Sequence, residues 1–140
     1  MSDRPLIGGC LCGAVRFEVT EPLVSAVYCH CTRCQRRTGS GAAASARIVP
    51  GSLRIMQGEE LVRAYEPPDG FAKDFCGACG SALWARNPAD PSQLAVRLGT
   101  FDEDPGIRPS ARQFVPYAAP WEPIPDDGLP RYPERRPPDA

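Results

Sequence analysis

The 140-residue sequence has little of several residue types on which common functions depend. It contains one histidine and one lysine, and its charges nearly cancel, to a formal net charge of -1 at pH 7. Fifteen of its 16 basic residues are arginines, which are scattered along the chain rather than gathered into a run. Because nucleic-acid binding needs a basic patch or stripe, we expect no nucleic-acid partner.

Long apolar runs are also missing from the sequence. No stretch approaches the ~20 apolar residues of a membrane-spanning helix, so we expect no membrane partner. Residues 1–5 lack the basic-then-apolar form of a secretion signal, which favours a soluble, cytoplasmic protein. A chain of 140 residues fits one domain that buries roughly two-thirds of the surface exposed in the unfolded state.

Cysteine, by contrast, is abundant, with seven residues in three tight groups. A disulfide framework suits these groups poorly, since cysteines one residue apart on a strand point to opposite faces and seven thiols leave one over. A reducing cytosol would also oppose the bonds. The spacing therefore predicts metal binding by Cys10 and Cys12, by Cys29, Cys31 and Cys34, and by Cys76 and Cys79.

The middle group, Cys29, Cys31 and Cys34, offers three thiols within six residues. A structural zinc takes four protein ligands, whereas a catalytic zinc keeps three and leaves one position for water or substrate. Thr32 is a plausible N-cap for a short helix ending at Gly39, which would place Cys34 in the first turn, where a thiolate is favoured. We therefore predict that these three cysteines form a catalytic metal site.

Seven thiols suggest a division into four plus three. The natural four are Cys10, Cys12, Cys76 and Cys79, which would link the start of the chain to its middle, and each pair is followed by a glycine that permits a tight turn. In the alternative, Cys76 and Cys79 join two cysteines of the middle group, and the first two cysteines are ordinary buried thiols. Both divisions remain open from spacing alone.

The chemistry of three thiolates points to the substrate. Zinc with three thiolates carries a formal charge of about -1, so it is a weak activator of water but a good site for another thiol. His30 lies between two of these cysteines and would face away from both on an extended segment, which favours a structural role over ligation. The guanidinium groups of Arg33, Arg36 and Arg37 could bind carboxylates of a thiol peptide, or could be solvated surface.

The rest of the chain is typical of short strands. Alternating or β-branched segments predict strands at residues 14–19, 23–28, 42–49, 81–85 and 94–98, a hairpin of 53–56 with 61–65, and a short strand within 113–117. With no helix longer than about two turns, the fold class is mainly β. We expect one zinc-binding domain over residues 1–125 and a Pro-rich tail over 126–140, partly ordered or disordered. Trp84, Phe75 and Phe101 are expected in the core, and Trp121 is expected to hold the tail against the domain.

Four sequence elements together resemble one known family, that of the glutathione-dependent formaldehyde-activating enzymes, also called the centromere protein V domain family. These elements are Gly9-Cys10-Leu11-Cys12-Gly13, Tyr28-Cys29-His30-Cys31-Thr32-Arg33-Cys34 with Gly39, Phe75-Cys76-Gly77-Ala78-Cys79-Gly80, and Ala119-Pro120-Trp121 with Asp127-Gly128-Leu129-Pro130. The resemblance implies a zinc-bound β-tent of short antiparallel strands with two zinc ions, one structural and one catalytic. It implies a structural zinc on Cys10, Cys12, Cys76 and Cys79 and a catalytic zinc on Cys29, Cys31 and Cys34. It also implies S-(hydroxymethyl)glutathione synthase chemistry, a carbon–sulfur lyase activity.

The chain departs from this family at two places. Arg112 stands where relatives often carry a histidine, and Pro68-Asp69 replaces serines that often precede the third cysteine group. Both departures concern the substrate rather than the metal ligands. The alternatives to an enzyme are a zinc-stabilised binding module without catalysis and a zinc protein whose thiols respond to oxidation. Small thiols such as glutathione, and a second copy of the chain, are the expected partners.

Overall fold

A computed structural model of the chain describes residues 4–138, so the first three residues and the last two residues of the predicted tail lie outside it. The described chain is built mainly of strands, which confirms the predicted fold class. The strands are β1 Leu6–Gly9, β2 Arg16–Val19, β3 Ser25–Cys29, β4 Ala43–Arg47, β5 Leu53–Gln57, β6 Val62–Tyr65, β7 Ala72–Cys76, β8 Ala82–Asn87, β9 Asp90–Arg97, β10 Arg112–Gln113 and β11 Arg131–Tyr132. One α-helix, α1, spans Thr32–Thr38, and short 3-10 turns cover Glu59–Leu61, Leu98–Thr100 and Val115–Tyr117.

The smaller sheet has three antiparallel strands in the order β1-β2-β5. Strand β2 alternates as its sequence predicts, with Phe17 and Val19 buried and the two polar residues between and before them partly exposed. The predicted hairpin of residues 53–56 with 61–65 is wrong. Strand β5 pairs with β2, whereas β6 pairs with β7 in the other sheet, so the chain changes sheets at Gly58.

The larger sheet has eight strands in the order β11-β10-β3-β4-β9-β8-β7-β6. Most neighbours are antiparallel, but β10 runs parallel to both β3 and β11, so the prediction of antiparallel strands holds only in part. The last strand predicted, within 113–117, is a two-residue strand followed by a 3-10 turn. Strand β11 lies within residues 126–138, so this part of the Pro-rich segment forms one edge of the sheet.

The core contains residues from both sheets. Its largest fully buried side chains are Phe17, Leu83, Val15, Val19, Val96 and Cys76. Phe17 meets Trp84 edge to face at 5.3 Å between ring centroids, and Phe101 at 6.0 Å. The predicted core position of Trp84 is confirmed, and Phe101 packs against the core while only partly buried. Phe75 is also partly buried but lies outside this core cluster, so its predicted core position is wrong. Trp121 is 67% exposed, so its ring does not fasten the tail.

Helix α1 begins one residue earlier than expected at its cap. Cys31, not Thr32, is the N-cap, and its sulfur accepts a hydrogen bond from the Cys34 N–H at 3.3 Å. The helix ends at Gly39, as predicted, where a left-handed φ of 68° lets the Gly39 N–H donate to the Gln35 carbonyl. The side chain of Cys31, a predicted metal ligand, therefore also caps the start of the helix.

Candidate metal centres

The first cluster joins two tight turns from different sheets. Cys10 and Cys12 lie in the turn between β1 and β2, while Cys76 ends β7 and Cys79 lies in the turn before β8. Their four sulfur atoms all lie within 4.8 Å of one another. The fold therefore brings together the four cysteines of the first predicted division, and not the alternative set.

Glycines make both turns tight enough for this approach. Gly13 and Gly80 have φ of 80° and 82°, a region that is costly for residues with a Cβ. The Gly13 N–H donates to the Cys10 carbonyl at 3.1 Å, and the Gly80 N–H donates to the Cys76 carbonyl at 2.7 Å. Each turn thus presents its two sulfurs on one side.

Hydrogen bonds from the protein also reach the sulfurs. The Val15 N–H donates to the Cys10 sulfur at 3.3 Å. The Ser81 hydroxyl accepts from the Leu11 N–H at 2.9 Å and lies 3.1 Å from the Cys79 sulfur, to which it can therefore donate. The Ser81 hydroxyl, followed by the Cys12 backbone N–H, lowers the pKa of Cys79 to about 5. Ser81 therefore connects the two turns and favours a thiolate.

The sulfurs compete with one another for the ionised form. The Ala14 N–H lowers the pKa of Cys12, but the neighbouring Cys10 sulfur and burial outweigh it, and the pKa rises to about 11. Four thiolates this close repel one another unless a cation compensates their charge. Tetrahedral zinc with Zn–S bonds near 2.3 Å would place sulfurs about 3.8 Å apart, and the Cys10 and Cys12 sulfurs lie 3.6 Å apart. All seven cysteines are free thiols, so this donor set fits a zinc ion.

The second cluster lies at the junction of β3 and α1. The sulfurs of Cys29, Cys31 and Cys34 lie within 4.8 Å of one another. Among the residues that the structure describes, no fourth cysteine, histidine or carboxylate joins them. Hydrogen bonds from Cys29 and Cys34 lower the pKa of Cys31, and those with Cys29 and Cys31 raise the pKa of Cys34. This donor set could hold a metal ion that keeps one position free.

His30 is engaged away from the cluster. It is 5% exposed, and its Nε2 lies 3.2 Å from Nη1 of Arg112, which is 8% exposed. Because a guanidinium can only donate, Nε2 accepts, and its lone pair is not free for a metal. Arg112 also donates to Asp127 at 3.2 and 2.8 Å and lies over the Tyr28 ring at 4.4 Å. Arg112, one of the two departures from the family pattern, therefore holds the ring of His30, which lies between Cys29 and Cys31 in the sequence.

The three arginines of α1 have different surroundings. Arg33 donates to the Asp69 carbonyl and carboxylate at 2.9 and 2.8 Å, so the second departure from the family, at Pro68-Asp69, supplies its partner. Arg36 is exposed and lines a shallow groove that contains Trp121. Arg37 is half-buried, with its guanidinium 5.3 Å from the centroid of the Phe75 ring. Their predicted roles in substrate binding are thus not equivalent.

Comparison with known proteins identifies the family. The profile of the glutathione-dependent formaldehyde-activating enzymes matches residues 5–116. The chain belongs to this family. A protein of Halomonas elongata, provisionally named as a glutathione-dependent formaldehyde-activating enzyme, is 31% identical over 105 residues, which cover 71% of this chain and 67% of that protein. A crystal structure of a Rhodobacter sphaeroides protein is similar with a TM-score of 0.58 and 26% identity, covering 90% of this chain and 98% of that one.

In this member of the glutathione-dependent formaldehyde-activating enzyme family, the structure also points to two residues, Ser81 and Arg97, that the cysteine motifs do not single out. Ser81 directly follows the Cys-x-x-Cys-Gly turn, and this position is a local signal of its role. Arg97 has no local signal, since it is far from every cysteine in sequence. No helix in the described part of the chain is long and apolar enough to cross a membrane.

Proposed function

We propose that this family member is a zinc-dependent enzyme that acts on a thiol and makes or breaks a carbon–sulfur bond, as an S-(hydroxymethyl)glutathione synthase does. The family membership supports glutathione and formaldehyde as substrates. The observation that carries the proposal is a cluster of three thiols with no fourth protein donor among the described residues. We also assign the two-sheet architecture to the β-tent type, which the resemblance implies.

In this proposal the two clusters have different roles. Cys10, Cys12, Cys76 and Cys79 would hold a structural zinc, because four protein ligands complete a tetrahedral shell. Cys29, Cys31 and Cys34 would hold a catalytic zinc, for a total of two ions per chain. When bound there, zinc would supply a position at which a thiol is held as the thiolate near neutral pH.

The protein itself would orient the catalytic trio. The end of β3 holds Cys29, and the capping hydrogen bond from the Cys34 N–H holds the sulfur of Cys31. The Gln35 side-chain amide donates to the His30 and Tyr117 carbonyls, both at 2.8 Å, which fixes the chain between the cysteines. In the net reaction the thiol sulfur joins the carbonyl carbon, the carbon–oxygen π bond breaks, and the thiol proton ends on the oxygen.

The absence of a fourth donor in the described chain also supports an open site over a closed, purely structural module. An oxidation-responsive zinc protein has no separate observation in its favour. The cytoplasmic location, the glutathione partner and a homo-oligomeric state stay predictions.

The test measures zinc per chain in protein purified without added metal, for the wild type and for Cys34→Ser. We expect two zinc ions to fall to one while the β-rich circular dichroism spectrum is kept. The wild type should also bind glutathione and form its adduct with formaldehyde. Zinc-free wild-type protein, or failure to bind glutathione, would contradict the proposal. Loss of folding in Cys34→Ser would assign this cysteine a structural role instead.

A further inference from the structure

A second feature beside the three-thiol cluster is a cationic cavity between α1, β4, β8 and β9. Its volume is about 340 Å³, and Arg37 and Arg97 are its only charged lining residues among those described. The remaining wall is mostly alanine and glycine, with no acidic side chain. The small wall residues leave space, and the two arginines give this space a positive charge.

Both guanidinium groups have unused donors inside the protein. Nη2 of Arg37 and Nε of Arg97 are buried, and within residues 4–138 neither atom has a hydrogen-bond partner. Arg97 uses Nη1 to donate to the Ser45 hydroxyl at 2.8 Å, which holds its side chain in place. Buried donors without partners are rare in native proteins, and each calls for a ligand or other explanation.

The two cations also repel each other. Burial lowers the pKa of Arg37, and the positive charge of Arg97 lowers it further. Other arginines of this chain are neutralised by carboxylates, as in the Arg86–Asp74 and Arg112–Asp127 pairs. Neither Arg37 nor Arg97 forms such an ion pair within the described residues. The cavity therefore lacks the anion that would balance its charge.

This cavity lies close to the proposed catalytic cluster. Arg37 follows Cys34 by three residues on α1, which places both side chains on the same face, about one turn apart. An anionic group attached to a thiol could thus occupy the cavity while the sulfur reaches the cysteines.

We propose that the guanidinium groups of Arg37 and Arg97 bind a carboxylate of the thiol substrate in this cavity. This inference rests on the proposed function and specifies its substrate as an anionic thiol. It also separates Arg37 from the other two arginines of α1. Arg33 is already paired with Asp69, and Arg36 faces a different groove. Arginine suits this task because its planar donors match carboxylate geometry.

The experiment measures thiol binding to the zinc-loaded protein by calorimetry. Glutathione and 2-mercaptoethanol are titrated into the wild type, Arg37→Gln, Arg97→Gln and the control Arg47→Gln, whose side chain is exposed on β4. We expect the Kd for glutathione to rise at least about tenfold in the first two variants and to stay unchanged in the control. The Kd for 2-mercaptoethanol, which has no carboxylate, should be the same in all four proteins.

The outcomes separate this inference from the proposed function. If both thiols bind and the two arginine variants bind glutathione like the wild type, the carboxylate site is wrong while the thiol site stands. If neither thiol binds the wild type, both proposals fail. Because a variant could lose its fold, the Arg97 Nε–H resonance of the wild type is followed by NMR. This resonance should shift with glutathione. It should not shift with a glutathione diester that is added at the higher concentration needed for the same occupancy. An equal shift with both compounds overturns the inference.

Discussion

At the scale of single residues, a side chain that binds no metal governs the geometry of the four-thiol cluster. The Ser81 hydroxyl contacts the Leu11 N–H of one turn and the Cys79 sulfur of the other. It is the first contributor to the lowered pKa of Cys79. Groups that orient metal ligands in this way commonly change metal affinity by about 10- to 100-fold when they are removed.

We therefore predict that Ser81→Ala weakens zinc binding at the four-thiol cluster by about tenfold, because Cys79 loses the donor that favours its thiolate. The measurement is competition with a chromophoric zinc chelator at neutral pH. Ser92→Ala is the matched control, since the Ser92 hydroxyl donates to Asp90 on β9 and touches no cysteine. Equal zinc affinity in the Ser81 variant and the wild type would show that the hydroxyl only joins the turns.

At the scale of elements, the short strands near the end of the chain depend on one buried cation. Arg112 lies in β10 and donates to Asp127, in the segment before β11, and to His30, directly after β3. Only two residue pairs join each of these strands, so backbone hydrogen bonds alone hold them weakly. The side chain of Arg112 therefore holds the segment of Asp127 and β11 against the larger sheet. The sequence predicts this role for Trp121.

We predict that Arg112→Gln destabilises the protein by about 2 kcal/mol, because the buried His30 is left without its hydrogen-bond donor and the more exposed Asp127 loses its ion pair. Urea denaturation at pH 7 measures the change in the free energy of unfolding. Arg108→Gln is the control, since the Arg108–Asp104 ion pair is exposed and should contribute less than about 1 kcal/mol. Similar losses in both variants would contradict a special role for Arg112.

The same pair predicts a dependence on pH. The hydrogen bonds from Arg112, followed by the Leu129 N–H, hold the pKa of Asp127 below its ordinary value of 3.8. A pKa lowered by folding stabilises the protein above the ordinary value, and this contribution is lost as the pH falls through the folded value. The wild type should thus lose stability below about pH 4 more steeply than Arg112→Gln in urea denaturation. Parallel pH profiles would show that Asp127 does not depend on Arg112.

At the scale of the whole molecule, the four-thiol cluster joins the two sheets. Its first pair lies between strands of the three-stranded sheet, and its second pair lies between β7 and β8 of the eight-stranded sheet. Backbone contacts also link β1 to the segment that follows β9, namely the Gly8–Phe101 bridge and the hydrogen bond from the Asp102 N–H to the Ile7 carbonyl. A metal at this place would close a loop of more than 60 residues.

We therefore predict that Cys12→Ser unfolds the protein or lowers its melting temperature sharply. Structural zinc contributes about 10–16 kcal/mol in small zinc domains, comparable to the whole stability of a domain. Cys12 is exposed, so its replacement removes a ligand without leaving a cavity. Circular dichroism during heating measures the effect, with Cys34→Ser as the control that should keep the fold. A wild-type melting temperature for Cys12→Ser would exclude a structural metal there.

Local sequence accounts for much of this picture. The cysteine spacings and the glycines that follow them predict both turns. Such a turn needs only one or two residues between its ligands and a glycine in the left-handed backbone conformation, and both are local features of the sequence. The strand β2 and the end of α1 follow from alternation and from Gly39 in the same way. The mainly β fold class was predictable from these short periodic segments.

Errors appeared where a prediction needed a distant partner. The segments 53–56 and 61–65 were identified as strands but were paired with each other, whereas burial of Phe17 and Val19 draws β5 to β2 and places β6 in the other sheet. A second error is local, because hydroxyl side chains are the usual caps and the sequence therefore favours Thr32 as the cap of α1. The Cys31 sulfur takes this position, since the helix starts directly at the cysteine cluster.

The sequence by itself determined which side chains can bind a metal and how each turn presents them, because these properties depend on neighbours a few residues away. Only the tertiary structure decided that the two outer pairs of cysteines meet, that Ser81 joins their turns, and that Arg37 and Arg97 share a cavity although they lie 60 positions apart in the sequence. The reason is physical. Such contacts arise from the packing of two sheets around one core, and the register of that packing is a property of the whole chain rather than of any local pattern.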